Sequence, residues 1–397
     1  MSLSVRDRVV ALAVAVLSVA AVSVAAPQDV AAQGAAPRQA AQPGVQAAAP
    51  AGEGVQVVHI RGNLYLLVGA GANVTASIGP DGVMLVDTGL PGQTGRLLAA
   101  IQRIQNALLL DEARAARLPQ AAAEGRSTIQ DSQNPVPAPK PIRYIINTHA
   151  HADHTGGNAA VAAVGRTFTG GNVAGNIADA GEGAAILAHE NVLVRMNTPA
   201  PGQAATPFRA LPTDTYYVDT MKLSHFFNGE GVQLMHQPAA HTDGDSLVWF
   251  RGSDVIAAGD IFNTESYPVI DLASGGHVNG LIAGLNRILD LAVAEFRSEG
   301  GTLIVPGRGR LSDTGDVAYY RDMVTIVRDR VQALIDKGLT VEQVKAARPT
   351  FEWDGRYGAT SGRWTTDMFV EAVYTNLKAD TEARRAAAAA TRPGRRP

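Results

Sequence analysis

Four short apolar stretches follow one another in the first part of the chain: Val55–Ile60, Leu64–Val68, Val74–Ile78 and Val83–Val86. Each reads as a strand, and the turn Pro80-Asp81-Gly82 between the last two is a hairpin signal. A helix is expected after Pro91, whose fixed φ suits a first turn. Residues 111–140 are rich in Ala, Gln and Pro and read as an inserted loop. Ile142–Asn147 is a short apolar strand, and strand, loop and helix patterns then alternate as far as Pro306. Asp316–Lys337, Val341–Ala347 and Thr366–Lys378 have helical patterns, and no solenoid-type repeat is present. The pattern predicts a mixed α/β fold of stacked sheets with outer helices.

The two ends differ from this body. Arg6 and Arg8 precede an uncharged apolar run from Val9 to Ala26, with a cleavage signature at Ser23-Val24-Ala25. This layout predicts a secretory signal peptide over residues 1–25. An uncleaved anchor helix is the alternative, although the run is short for the ~20 apolar residues a span requires. Residues 26–54 carry Ala, Pro, Gln and Gly and too few large apolar groups to offset ordering entropy, so a disordered linker is expected. The expected organisation is then a catalytic body over 55–315, a C-terminal helical extension packed on it over 316–378, and a flexible tail over 379–397. The expected location is periplasmic or secreted, with no membrane span once the signal is removed.

Composition narrows the function classes. The chain has 397 residues, enough for one large or two ordinary domains. Its 34 basic against 37 acidic side chains leave no electrostatic footprint for nucleic acid and no strong steering of anions. There is no cysteine, which excludes disulfides, thiolate ligands and thiol nucleophiles. A small-molecule substrate is expected, and nothing in the sequence speaks to oligomeric state.

The sharpest chemical signal is Thr148-His149-Ala150-His151-Ala152-Asp153-His154-Thr155-Gly156-Gly157, directly after the Ile142–Asn147 strand. Residues two apart on an extended segment face the same way, so His149 and His151 can offer imidazoles to one metal. Asp153 and His154 lie where the chain turns and can address an adjacent position. Neutral imidazole and carboxylate are ligands that suit zinc. The competing reading, a histidine-rich surface loop, fits poorly with the buried-type strand before it.

The segment HAHADH resembles the HxHxDH signature of the metallo-β-lactamase superfamily. Four further short motifs resemble that family in order: Asp87-Thr88-Gly89, His241-Thr242 with Gly244, Gly259-Asp260, and Val305-Pro306-Gly307-Arg308-Gly309. The resemblance spans roughly residues 55–315 and implies a four-layer αββα sandwich. It implies a first metal at His149, His151 and His241, and a second at Asp153 and His154 with Asp260 between the two. Asp87 would hold the ligand loop, its alternative role being a turn former at a strand end.

One position departs from the family pattern, because Arg308 stands where a final histidine is usual. A guanidinium has no lone pair and cannot be a ligand. At ~4 Å and an effective dielectric of ~20 it would repel a divalent ion by about 8 kcal/mol, twice the unit-charge figure. Arg308 therefore either points away or displaces the second metal by pairing with Asp153 and Asp260. Three outcomes stay open: one zinc with Arg308 binding a substrate anion, a weaker second site, or a substitute ligand such as His277. His59, His225 and His236 read as structural or exposed. His189 either lines the pocket or starts a helix. The loop Asn263–Asp271 is expected to flank the cleft, where Tyr267 and Trp353 are candidates for substrate contact or for packing.

Zinc is the expected cofactor, with one ion at the three histidines, a second left open, and iron or manganese as alternatives. Zinc with three histidines leaves a fourth position for water and lowers its pKa to about 7. The expectation is an exported hydrolase that turns this metal-bound hydroxide on an ester, lactone, thioester or β-lactam bond. Asp153 would orient the hydroxide or carry its proton. The rival is a zinc-containing binding protein with little turnover because of Arg308. A redox role for iron at the same ligands is a third possibility, without any electron-carrier domain in the chain to support it.

Overall fold

The computed structural model describes residues 54–124, 139–167, 183–198, 204–223, 225–294 and 300–390, all within the unit Ala51–Pro397. The expected signal segment, nearly all of the expected linker, and residues 391–397 lie outside the described residues.

Seven strands form the first sheet in sequence order: β1 (Gln56–Arg61), β2 (Leu64–Val68), β3 (Val74–Gly79), β4 (Gly82–Val86), β5 (Ile142–Ile146), β6 (Ala185–His189) and β7 (Asp214–Tyr216). Strands β1 to β4 form an antiparallel meander, and β4 to β7 run parallel. The second sheet comprises β8 (Thr220–Lys222), β9 (Val232–His236), β10 (Ser246–Phe250), β11 (Val255–Ala257) and β12 (Leu303–Val305), in the order β12-β11-β10-β9-β8. Only its β11–β12 pair is parallel.

Alternation along the strands explains why two sheets stack and both keep an outer cover. On β4, Met84 and Val86 enter the layer between the sheets, whereas Val83 and Leu85 face outward. On β10, Val248 and Phe250 face the same middle layer, and Leu247 faces the other way. A sheet apolar on both faces must be covered on both. Leu97, Ala100, Ile101 and Ile104 of α1 (Thr94–Glu124) and Val161 of α3 (Asn158–Ala163) cover the first sheet. The second is covered by α5 (Val278–Leu291), α6 (Thr314–Asp336), α7 (Val341–Ala346) and α9 (Thr366–Ala390). The short helices α2 (Ala152–Thr155), α4 (Glu190–Asn197) and α8 (Asp354–Tyr357) complete the set among the described residues. The result is the αββα sandwich.

Two expectations need correction. The stretch 111–140 is not a loop throughout, because α1 continues to Glu124. Ala, Leu, Arg and Glu dominate its second half and favour helix strongly enough to carry it through Pro119. Likewise α9 does not stop at Lys378 but runs on through an Ala-rich segment to Ala390. The C-terminal helices share one core with the second sheet. Val317, Val324, Val327 and Val331 of α6 and Phe369 and Val373 of α9 are fully buried with Ile256 and Ile304. At ~1.5–3 kcal/mol per buried side chain, this layer belongs to the same folding unit.

Candidate metal centre

The parallel pairs set one edge of the sandwich apart. Val86 is level with Ile146 at the ends of β4 and β5, and Ala257 with Val305 at the ends of β11 and β12. Asp87 follows β4, the His149–His154 segment follows β5, Asp260 follows β11, and Arg308 follows β12. His241 lies between β9 and β10. The loops approach so closely that two positions require glycine. A Cβ on Gly307 would stand 2.0 Å from Asp260 Oδ1, and one on Gly259, whose φ is +52°, would stand 2.8 Å from the Thr148 side chain.

Two groups of candidate ligands result. His149, His151, His241 and Asp260 form the first, and Asp153, His154 and Asp260 the second; within each, one ligand atom per residue lies within 4.8 Å of all the others. Asp260 is common to both.

Hydrogen bonds on the outer side fix how each ring presents itself. Thr148 Oγ1 donates to Asp87 Oδ2 at 2.7 Å and so accepts from His149 Nδ1 at 3.1 Å. His151 Nε2 donates to Asp271 Oδ2 at 2.9 Å. His241 Nδ1 donates to the Val269 carbonyl at 2.8 Å, and His154 Nδ1 to Asp87 Oδ2 at 2.7 Å. With one nitrogen of each ring donating outward, the other nitrogen of His149, His151 and His241 turns a lone pair inward. Among the described residues these inward atoms find little to satisfy them. His149 Nε2 is buried without a hydrogen bond, and His154 Nε2 and Asp260 Oδ1 have only each other, 3.2 Å apart. His151 Nδ1 faces His241 Nε2 at 3.0 Å, two acceptors that require a proton or a cation between them. Buried acceptors left unpaired are costly, and a divalent cation is the group that satisfies several at once. The residues present therefore fit a metal ion.

Asp87 earns its position by three contacts. Its carboxylate also accepts from the Thr148 backbone N–H at 2.8 Å, and these bonds hold a residue whose φ is +65°. It thus locks the ligand loop and aims His154. The carboxylate of Asp245, buried close to His149, accepts both the N–H and the hydroxyl of Thr242 and so shapes the His241 turn.

Electrostatics follow from the burial and from these partners. Burial and the neighbouring rings push His149 well below its usual range, and burial takes His241 down to about 4. Burial opposes charge on His154 as well, but Asp260 and Asp87 on its two sides raise it to about 10. The His151 hydrogen bond holds Asp271 below the usual carboxylate range.

Arg308 does not point away. Its guanidinium pairs with Asp153 Oδ2. No ion pair joins it to Asp260 among the described residues.

Several sequence candidates lie elsewhere. Tyr267 takes the packing alternative: its ring is buried and stacks on Phe369 at 4.8 Å, and its hydroxyl lies 3.0 Å from both Thr350 O and Asp354 Oδ1, with one proton to share between them. Trp353 packs in the same core beneath the Arg330 guanidinium. His277 supplies no substitute ligand. It caps α5 by accepting from the Asn279 N–H, with its other nitrogen 3.4 Å from Asp380. His189 is buried at the start of α4, accepting from the Asn191 N–H and stacked on His236 at 3.6 Å, and it belongs to neither group. His59 bonds to Gly62 O at the surface. Sequence reasoning missed Asp271 and the Val269 carbonyl. The only signal for them was that they end the loop expected to flank the cleft.

The sequence profile of the metallo-beta-lactamase superfamily matches residues 68–308, from the end of β2 to the arginine itself. The chain belongs to the metallo-beta-lactamase superfamily. No curated protein matches it. Among solved structures, this superfamily member is similar to the metallo-beta-lactamase from Pontibacter korlensis at 14% identity and a TM-score of 0.43, covering 68% of this chain and 99% of that one. It is also similar to the stereoselective inverting sec-alkylsulfatase Pisa1 from Pseudomonas sp., at 14% identity and a TM-score of 0.50. That alignment covers 81% of this chain and 50% of the alkylsulfatase, so the chain spans half of that protein's length and the likeness concerns fold alone.

Proposed function

We propose that this protein is an exported, zinc-dependent hydrolase acting on a small molecule with an ester, lactone, thioester or β-lactam bond. One observation carries the reading: imidazole lone pairs from His149, His151 and His241 converge, each ring held from behind by a fixed acceptor. Zinc suits three neutral imidazoles, and when bound it brings water near neutrality within reach of deprotonation and polarises the scissile bond. The remaining work belongs to the chain's own residues. Thr148, Asp271 and Val269 O hold the three rings in the tautomers that leave the inner nitrogens free. Asp260 supplies a carboxylate to the same group. Asp153, only slightly exposed and 3.8 Å from His154 Nε2, stands where a proton leaving the nucleophile would be taken up. Arg308, about one-third exposed, can meet an anionic part of the substrate. Export rests on the basic and apolar N-terminal segment, and no described helix is long and apolar enough to cross a membrane.

The Arg308–Asp153 pair also favours a second reading, a zinc-containing binding protein with little turnover. One assay separates the two. The purified protein is offered β-lactam, lactone, thioester and carboxylic ester substrates, before and after chelation and after zinc is restored. Turnover lost on chelation and regained with zinc supports the hydrolase. Zinc retention without turnover on the whole panel supports the binding protein, and turnover indifferent to chelation contradicts both.

A further inference from the structure

We propose that the Arg308 guanidinium takes the place of a second metal ion, so that this protein works with a single divalent cation. The inference rests on the metal reading above. Its first support is the ion pair itself. Asp153 is one of the three side chains in the second group, and its Oδ2 already has a fixed cation as partner. Arginine keeps its charge at any working pH and offers no lone pair, so it neutralises the carboxylate without serving as a ligand.

The second support is the sharing of Asp260. An ion among His149, His151 and His241 has Asp260 within the same group. Asp260 Oδ2 lies 3.9 Å from His241 Nε2 and its Oδ1 3.2 Å from His154 Nε2, so the second position has Asp153, His154 and one shared oxygen. A zinc site ordinarily draws three or four ligands from the protein, and with Asp153 engaged by Arg308 only two remain free.

The third support is the anchoring of the arginine. Asn73 Nδ2 donates to Pro306 O and to Gly309 O, both at 2.9 Å, and the Asn73 N–H donates to Gly307 O at 2.9 Å. The Gly307 N–H donates to Gly259 O at 2.8 Å and to Phe262 O at 3.0 Å. Arg308 is bridged to Asn263, and the Thr264 N–H donates to its carbonyl at 3.2 Å. The backbone on both sides of Arg308 is therefore fixed against the Asp260 turn, with Gly307 directly on the carboxylate. The side chain is delivered to Asp153 by the fold and does not arrive there by loop motion. A histidine at this position would offer a lone pair in place of a fixed charge.

The test is cobalt(II) titration of the full chain stripped of metal, read by visible absorption and by calorimetric stoichiometry, on the wild type, Arg308→His and Arg308→Ala. The expected result is one equivalent in the wild type and a second in Arg308→His. Arg308→Ala, which removes the cation without adding a ligand, should take up a second equivalent at least about tenfold more weakly than Arg308→His does. Two equivalents of similar affinity in the wild type would overturn the inference and leave the hydrolase reading standing. One equivalent in all three proteins would also overturn it, because Arg308 would not then be what closes the second position. No binding by the wild type would overturn the metal reading and this inference together.

Discussion

The two halves of the metal centre share an aspartate and lie side by side, yet they are finished differently. In the first, three rings commit their outer nitrogens to a hydroxyl, a carboxylate and a carbonyl, and leave inner lone pairs that nothing among the described residues satisfies. In the second, a guanidinium has already been supplied to one of the carboxylates. The first half is therefore incomplete without a cation, and the second has brought its own. Both draw on the ends of β5 and β11; the first adds His241 from the segment between β9 and β10, and the second adds Arg308 from the loop after β12.

The largest expected effect comes from breaking the first half. His149→Ala or His241→Ala should abolish tight metal binding and lower hydrolysis by about 10³-fold or more, several kcal/mol of lost transition-state stabilisation. Elemental analysis beside turnover of the purified variants checks this, and a variant that keeps its rate would sink the metal mechanism. Next is Asp271→Asn. The amide oxygen can still accept the Ala273 and Ser274 N–H groups, but its NH₂ then faces His151 Nε2. The ring would shift its proton to Nδ1 and lose the inward lone pair. Metal affinity should fall roughly 10–100-fold with the fold intact, as competition with a coloured chelator would show; an unchanged affinity would mean that Asp271 does not set the tautomer. Asp87→Asn sharpens the contrast from the other side, because it loosens Thr148 and His154 together. Urea denaturation should show a loss of about 2–4 kcal/mol, the range for a buried charged hydrogen-bond network that loses a partner.

The smallest expected effect lies outside both halves. Burial and the stacked His236 ring lower His189 from 6.5 to about 4. A histidine whose folded value is depressed binds fewer protons when folded. Its contribution is therefore complete above pH 6.5 and is lost as the pH falls from 6.5 towards 4. His189→Asn keeps a helix cap and should flatten the acid side of the stability profile over that window. Equal slopes for the two proteins would exclude His189 as a source of acid sensitivity.

The sequence disclosed the fold most clearly where apolar runs are short and bounded by turn residues. Strands β1 to β5 fall within a residue or two of the expected stretches. It misled at residues 111–124 and beyond Lys378, where Ala-rich composition resembles linker but forms helix once the chain has somewhere to continue. In the centre, His149, His151, Asp153 and His154 were legible because they are adjacent in sequence, and Asp87, His241 and Asp260 because they resemble short family motifs. Asp271 and Val269 O were not, since their role exists only after folding brings them behind two rings. For Tyr267 the sequence left substrate contact and packing both open, for the same reason. Proximity to Asp260 in sequence said nothing about Phe369, on which its ring rests. The sequence also left the orientation of Arg308 open, because a lone arginine carries no sign of which carboxylate it meets.

The account stands most directly on how many metal ions a chain holds and where they are. A crystal of the zinc-loaded protein, with anomalous scattering measured at the zinc edge, would show both. The account predicts one peak, surrounded by His149 Nε2, His151 Nδ1 and His241 Nε2, with the Arg308 guanidinium still on Asp153. A second full peak beside Asp153 and His154, with Arg308 turned outward, would contradict it, as would the absence of any peak at the three histidines.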